Sequence, residues 1–282
     1  MKKLKDILLI EPEEYYHLQS SKYLSSHQIM DFIRSPKLYY LKKTGMIPQT
    51  KSSSFAFGSA AHCLLLEGDK EFNKRYAVGG PINPATGKSY GSDTKKFADW
   101  QDAQRAERGT NVTFITSEEY FVAKSMSGSI KEHPIASKLF KDGFAERVVR
   151  TTFKDLPIQA RFDWLSQKDE TIVIADLKTC QNLDNFADDA KKYMYDIQAA
   201  FYLTALSKTL IDNDLANRDE SLAFYFCAVE KVAPFRCGLF HYTAKGIRTT
   251  SHIILDAIED IKQCTESGEW PDGYEDPITL TI

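Results

Sequence analysis

The 282-residue chain has no excess of either charge: 36 Lys and Arg stand against 39 Asp and Glu, a net charge of −3. That balance excludes a protein held on a polyanion by bulk positive charge. It leaves open an enzyme whose basic residues line one channel while acidic residues cover the outside. Long apolar runs are also missing. Mean hydropathy is −0.38, and no uncharged apolar stretch approaches the roughly 18 residues that a membrane span requires. Near the N-terminus an apolar run, Ile7 to Ile10, stops at Glu11, too soon for the core of a signal peptide. Cysteine is scarce and unpatterned: Cys63, Cys180, Cys227, Cys237 and Cys264 are odd in number and form no C-x-x-C pair. This excludes a disulfide framework and a cysteine metal cage, and it suits a reduced compartment. Repeats and low-complexity tails are absent too. What remains is an average composition, 43% hydrophobic and 27% charged. A chain of this length buries a core without staples. The expectation is a soluble, cytoplasmic globular protein with no membrane partner.

The hydrophobic pattern divides the chain into a helical part, about 20–140, and a sheet-bearing part, about 144–245. No linker separates them, so the reading is one domain over 1–282. Residues 24–44 read as two short helices, with a Ser cap before the first and Ser35-Pro36 opening the second. After the polar stretch Gln49 to Ser54, the segment Phe55 to Gly68 reads as a buried helix. Gly79 to Thr94 reads as a long loop, followed by helices at about 94–108 and 117–132. From Phe144 the period falls from 3.6 to 2. Ala145–Phe153, Pro157–Leu165 and Thr171–Thr179 predict an antiparallel meander with short polar turns. Residues 186–209 predict a helix, 222–230 and 235–242 a hairpin, and 250–266 a last helix. The order predicts an α/β fold: a central mixed sheet with helices on its faces.

The chemistry concentrates in the meander. The strand Ile172 to Thr179 carries Asp176 and Lys178 beside its apolar section, where charge needs a reason. Alternation places both on one face. By itself a D-x-K triplet is most often a surface ion pair. The preceding strand carries Asp163 between apolar neighbours. A turn between Asp169 and Glu170 sets position 163 opposite 176, with Cβ atoms about 4.5–5.5 Å apart. Two carboxylates that close repel unless one is protonated or a cation joins them. A hard divalent ion, Mg²⁺ or Mn²⁺, suits such oxygen ligands. Lys178 would then orient a water or stabilise charge on a phosphate oxygen. Glu146 lies on the first strand of the meander, within reach of the same face. Gln198 and Tyr202, four residues apart, project from one side of the next helix, either as plain helix packing or in support of the site. His62 sits in an otherwise apolar helix. It is either a hydrogen-bonded core histidine or, as a neutral imidazole, the one ligand that is not a carboxylate.

In this order, His62, Glu146, Asp163, Asp176-Leu177-Lys178 and Gln198-x-x-x-Tyr202 resemble the PD-(D/E)XK nuclease superfamily, in its RecB-like branch; the spacing of thirteen between the two aspartates matches that branch. Further stretches resemble the nuclease domain of the phage and prophage exonucleases of the exodeoxyribonuclease VIII type. These are Leu24-Ser25-x-x-x-Ile29-x-x-Phe32, Ser35-Pro36-x-x-Tyr39, Gly58-x-Ala60-x-His62-x-x-x-Leu66-Glu67 and Glu269-Trp270-Pro271, so the likeness spans about residues 15–275. It implies a restriction-endonuclease-like core. A metal, Mg²⁺ with Mn²⁺ as substitute, would be bound by His62, Asp163, Asp176 and the Leu177 carbonyl. Lys178 would assist the attacking water, with Glu146, Gln198 and Tyr202 in support. It implies a double-stranded DNA exonuclease that works 5′ to 3′ from duplex ends, serves a RecT-like single-strand annealing protein, and forms a ring, most simply a homotetramer. The lysines of 37–51 and 88–96 would face its channel. A bacterial host cytoplasm and a phage or prophage origin follow from the same resemblance. The exonucleases it resembles carry a long N-terminal region with no counterpart here, which implies the nuclease domain alone. Two positions depart from the pattern: Phe162 stands where Pro is expected and Ala160 where Gly is frequent. A nickase, a flap-processing nuclease or a catalytically silent DNA-binding relative are the alternatives.

Overall fold

The computed structural model describes residues 3–47, 53–216 and 221–275, together with 277 and 279. Its helices and strands follow the chain as α1 (Leu4–Ile7), α2 (Glu13–Leu18), α3 (Ser26–Arg34), α4 (Pro36–Lys43), α5 (Ser53–His62), α6 (Gly68–Arg75), β1 (Tyr76–Val78), α7 (Lys95–Arg108), β2 (Thr113–Ile115), α8 (Ser117–Glu132), α9 (Ala136–Leu139), β3 (Phe144–Phe153), β4 (Leu156–Lys168), β5 (Thr171–Cys180), α10 (Phe186–Lys192), α11 (Tyr195–Asp212), β6 (Ser221–Glu230), β7 (Cys237–Phe240) and α12 (Ala244–Ser267). None of the described helices is long and apolar enough to cross a membrane.

The local chemistry explains the boundaries. Ser25 and Gln28 close a reciprocal capping box on α3, and the Ser35 hydroxyl accepts the Leu38 amide ahead of α4, with Pro36 at its first position. Thr116 and Glu119 repeat the box on α8. Each satisfies amide donors that the first helical turn leaves open.

Five strands form one sheet in the order β3-β4-β5-β6-β7. The first three make the expected antiparallel meander, and β6 and β7 the expected hairpin, but β5 and β6 run parallel. A parallel step needs a crossover, and α10 and α11 supply it. The sheet is therefore mixed, as expected. Its faces carry separate cores. Ile158, Ala160, Phe162, Ile174, Phe224 and Phe226 pack beneath α3, α11 and α12. Leu177, Cys227 and Val229 pack against α5 and α8 on the other face. Fully buried Ala199, Ala200 and Ala205 let α11 lie close against the strands.

The expected helical region also holds a small parallel pair, β1 with β2, whose three-residue strands are too short to register as a period. The expected single helix over 186–209 is two, because Met194 takes a left-handed φ of 56° between them. The Gly79–Thr94 segment is a loop with one bridge, Ile82 to Ser89. Residues Gln49 to Ser52 of the expected polar stretch lie outside the described residues.

Candidate active site

The turn assumed at Asp169–Glu170 is the one observed: Lys168 pairs with Thr171, and the ladder runs up to Trp164 with Ala175. There it stops, one step short of the expected 163–176 pair. On the other side of β4 the pairing runs from Phe144–Leu165 to Ala145–Trp164 and resumes at Arg147–Phe162. The step left out is Glu146 with Asp163. Glu146 has a φ of 52°, a left-handed conformation that a non-glycine residue rarely takes within a strand.

This irregularity overturns simple alternation. Phe162 packs edge-on against Tyr202 under α11, with ring centroids 5.4 Å apart. Trp164, two residues on, packs with Leu66 and Ala175 on the opposite side. Side chains two apart should share a face. The interrupted pleat at 146 and 163 moves them to different faces. The two aspartates consequently form no ladder pair, though the charge of Asp163 still acts on Asp176.

Asp163 turns toward α5. Its Oδ2 accepts the Leu177 amide at 2.8 Å and lies 3.5 Å from His62 Nδ1. His62 ends α5, where the backbone passes into a π-helical turn, Cys63–Glu67. Such turns re-aim side chains and concentrate at functional sites. His62, Glu146 and Asp163 each offer a ligand atom, all within 4.8 Å of one another. Glu146, expected in support, thus stands in the ligand cluster.

Asp176 turns toward α11. Its Oδ1 accepts from Gln198 Nε2 at 2.7 Å, and Lys178 Nζ lies 2.7 Å from its Oδ2. That oxygen is buried. Asp176 stands outside the cluster of three. Leu177, whose carbonyl is the expected metal ligand, also donates its amide to Asp163. Tyr202 is buried on Phe162 and Phe224, and its phenol is pushed well above the ordinary value by burial.

The electrostatics describe a site short of positive charge. Burial, with the nearby Asp163 charge, raises the Glu146 carboxyl to about 8. Burial raises Asp176 to about 6 despite Lys178. Burial acts to discharge Lys178, but Asp176 and Asp163 more than offset it, and its ammonium is held above the ordinary value. The same ammonium lies over the rings of Tyr195, at 4.8 Å, and Phe226, at 5.7 Å. Two groups at the site escaped the sequence reading. Tyr195 carried no signal, being one aromatic in a helix rich in them. Arg161 carried one: it stands between Ala160 and Phe162 on an apolar strand, as out of place as Asp163. In the structure its Nε is 2.8 Å from Glu146 Oε2.

The cluster fits a divalent cation by its own chemistry. One imidazole nitrogen and two carboxylates converge, and burial with the Asp163 charge raises the Glu146 carboxyl to about 8 even with Arg161 beside it, so the cluster has room for more positive charge. A mixed nitrogen and oxygen donor set suits Mn²⁺ as well as Mg²⁺.

Against known protein families, residues 25–276 match the model of the PDDEXK-like domain of unknown function, DUF3799. The chain belongs to this family. It is therefore a member of the PD-(D/E)XK nuclease superfamily. The PDDEXK-like fold extends to a solved structure described as "Putative exonuclease" from Eubacterium rectale, with a TM-score of 0.63 and 14% identity over 97% of this chain and 96% of that one. At that identity the likeness shows the fold alone. A search of the curated proteins finds no match. The family assignment and the fold together support a nuclease, and PDDEXK nucleases use divalent metals.

His62→Ala separates the two readings of the imidazole. As a ligand, its loss weakens metal binding more than folding, and cleavage recovers in part at high Mn²⁺, which accepts nitrogen ligands better than Mg²⁺ does. The check is activity against metal concentration beside a thermal melt; a lowered Tm with no metal rescue makes His62 a core residue.

Proposed function

We propose that the chain is an Mg²⁺-dependent double-stranded DNA exonuclease, Mn²⁺ substituting, that resects duplex ends 5′ to 3′ for annealing-based recombination. The observation that carries the reading is the convergence of His62, Glu146 and Asp163 beside the Asp176–Lys178 pair. The cluster would hold the ion. A divalent ion in such a place supplies counter-charge to a phosphate under attack and makes a water more acidic. The chain's own residues do the rest. Glu146 would hold the ion as a carboxylate, its proton released to solvent. Asp176, fixed by Gln198, holds Lys178 charged at the site, where its ammonium stabilises negative charge on a phosphate oxygen. Tyr195 and Phe226 confine that ammonium from the sides.

Strand polarity, the annealing partner and the ring are inferences from the resemblance of the motifs. A ring keeps a protein of net charge −3 on one duplex by topology rather than by affinity. For its channel the lysines of the 79–94 loop and the start of α7 are the better candidates. Lys88, Lys95 and Lys96 are exposed. Lys37, Lys42 and Lys43 already face Asp272, Asp31 and the Ser20 carbonyl within the chain, and Lys51 lies outside the described residues. The deciding experiment is digestion of end-labelled linear duplex and closed circular duplex, with Mg²⁺ and with chelator. Linear DNA shortens from its 5′ ends only with metal, and circular DNA survives. Cutting of the circle supports the nickase alternative. No cutting of either, with metal present, leaves a silent DNA-binding relative.

A further inference from the structure

The residues that match the family begin at 25, yet the segment before them reaches the site. Leu9 bridges to Val148 on the edge of β3. Glu11 makes a two-pronged ion pair with Arg150, at 2.9 and 2.5 Å, and that guanidinium lies over the rings of Tyr15 and Tyr23. Gln159 donates to the Tyr16 carbonyl at 3.2 Å. These contacts fasten α2 to β3 and β4 just beyond the ligand cluster. They set Glu13 Oε2 3.6 Å from Arg161 Nη1, while Arg161 Nε is 2.8 Å from Glu146 Oε2. The arginine side chain is only 16% exposed.

We infer that Arg161, held from behind by Glu13, positions the Glu146 carboxylate for the metal, so that the N-terminal segment is a working part of the active site. The inference rests on the metal-binding reading of the cluster. Glu146 needs such a partner because its left-handed backbone leaves the β3–β4 ladder at that residue. A carboxylate has two oxygens; with one against a guanidinium, the other is free to face a cation. A guanidinium is a planar fork of donors and can serve two carboxylates at once. Glu13 has a second use: sharing Arg161 between two anions weakens its hold on Glu146, which would otherwise compete with the ion. An isolated surface ion pair contributes little and positions nothing. Here Arg161 and Glu146 are less than a fifth exposed, and one of them is a candidate ligand.

The test is Mn²⁺ titration of the full chain without DNA, read as free Mn²⁺ by electron paramagnetic resonance, with thermal melts in chelator alongside. Outer residues that orient metal ligands typically cost about 10–100-fold in affinity when lost. Arg161→Gln should raise the Mn²⁺ Kd within that range, and Arg161→Lys should recover part of the loss. Glu13→Gln should raise Kd by less, and the double variant should bind no more weakly than Arg161→Gln, since Glu13 acts through Arg161. Glu13→Gln changes a half-exposed residue, so it carries the test should Arg161→Gln fail to fold. Unchanged Kd in Glu13→Gln, or losses that add in the double variant, overturn the inference. His62→Ala and Asp163→Asn act as the control: if they too leave Kd unmoved, it is the metal site that is misplaced.

Discussion

Asp163→Asn, Asp176→Asn and Lys178→Ala each cut end-labelled duplex at least about a hundredfold more slowly than the parent, the usual cost of removing a group that stabilises developing charge. The three losses differ in kind. Asparagine at 163 keeps an oxygen for the Leu177 amide, so the strand end survives while the cluster loses a negative ligand. Asparagine at 176 keeps Gln198 bonded but leaves Lys178 without its counter-charge. Alanine at 178 removes the cation and leaves Asp176 buried with Gln198 alone, so its carboxyl rises further above about 6. Single-turnover rates in saturating Mg²⁺, beside thermal melts, check all three. A folded variant that retains more than a few per cent of the parent rate shows the site to be misplaced.

Glu146→Gln makes the metal-free protein more stable above about pH 8 and the metal-loaded protein less so. Glu146 titrates near 4.5 when exposed and near 8 in the fold. A carboxyl raised by folding binds its proton more tightly in the native state. Parent stability therefore falls as pH climbs from about 5 to 8 and stays low beyond. A shift of one pH unit corresponds to about 1.4 kcal/mol. Because part of the rise is repulsion from the neighbouring Asp163 charge, the gain from glutamine is put at roughly a few kcal/mol rather than the whole span. Below about pH 5 the folded and unfolded carboxyls are both protonated, and the variant gains nothing by this route. Melting in chelator at pH 5 and pH 8.5 checks the sign: the variant-minus-parent Tm rises with pH. Saturating Mn²⁺ reverses it, because the parent alone keeps the charged ligand. A Tm difference that does not change with pH removes Glu146 from the titrating cluster.

Arg161 and Asp163 show why part of the site escapes a reading of the strand by itself. Both stand on β4 among apolar neighbours. The carboxylate was singled out because a second carboxylate lay across an assumed hairpin. The arginine had no such counterpart in the meander. One of its partners, Glu13, lies on a two-turn helix that has no buried residue and therefore no apolar period to reveal it. Contacts across 148 positions, from 13 to 161, carry no mark in local pattern.

The composition, the periods and the turn residues determined the elements and the register of the meander. Alternation is a local property, and Lys168-Asp169-Glu170-Thr171 can turn in few ways. They also brought His62, Asp163, Asp176 and Lys178 into consideration, because charge within an apolar run is visible in one dimension. Which way those side chains point was decided only by tertiary structure. The left-handed Glu146 breaks the β3–β4 ladder, so Phe162 and Trp164 pack on different faces and Asp163 meets His62 on α5. The π-helical turn after His62 and the close approach of α11 to Asp176 complete the division. Each depends on which helix covers which face of the sheet, and packing between elements distant in sequence leaves no periodic trace in any one of them.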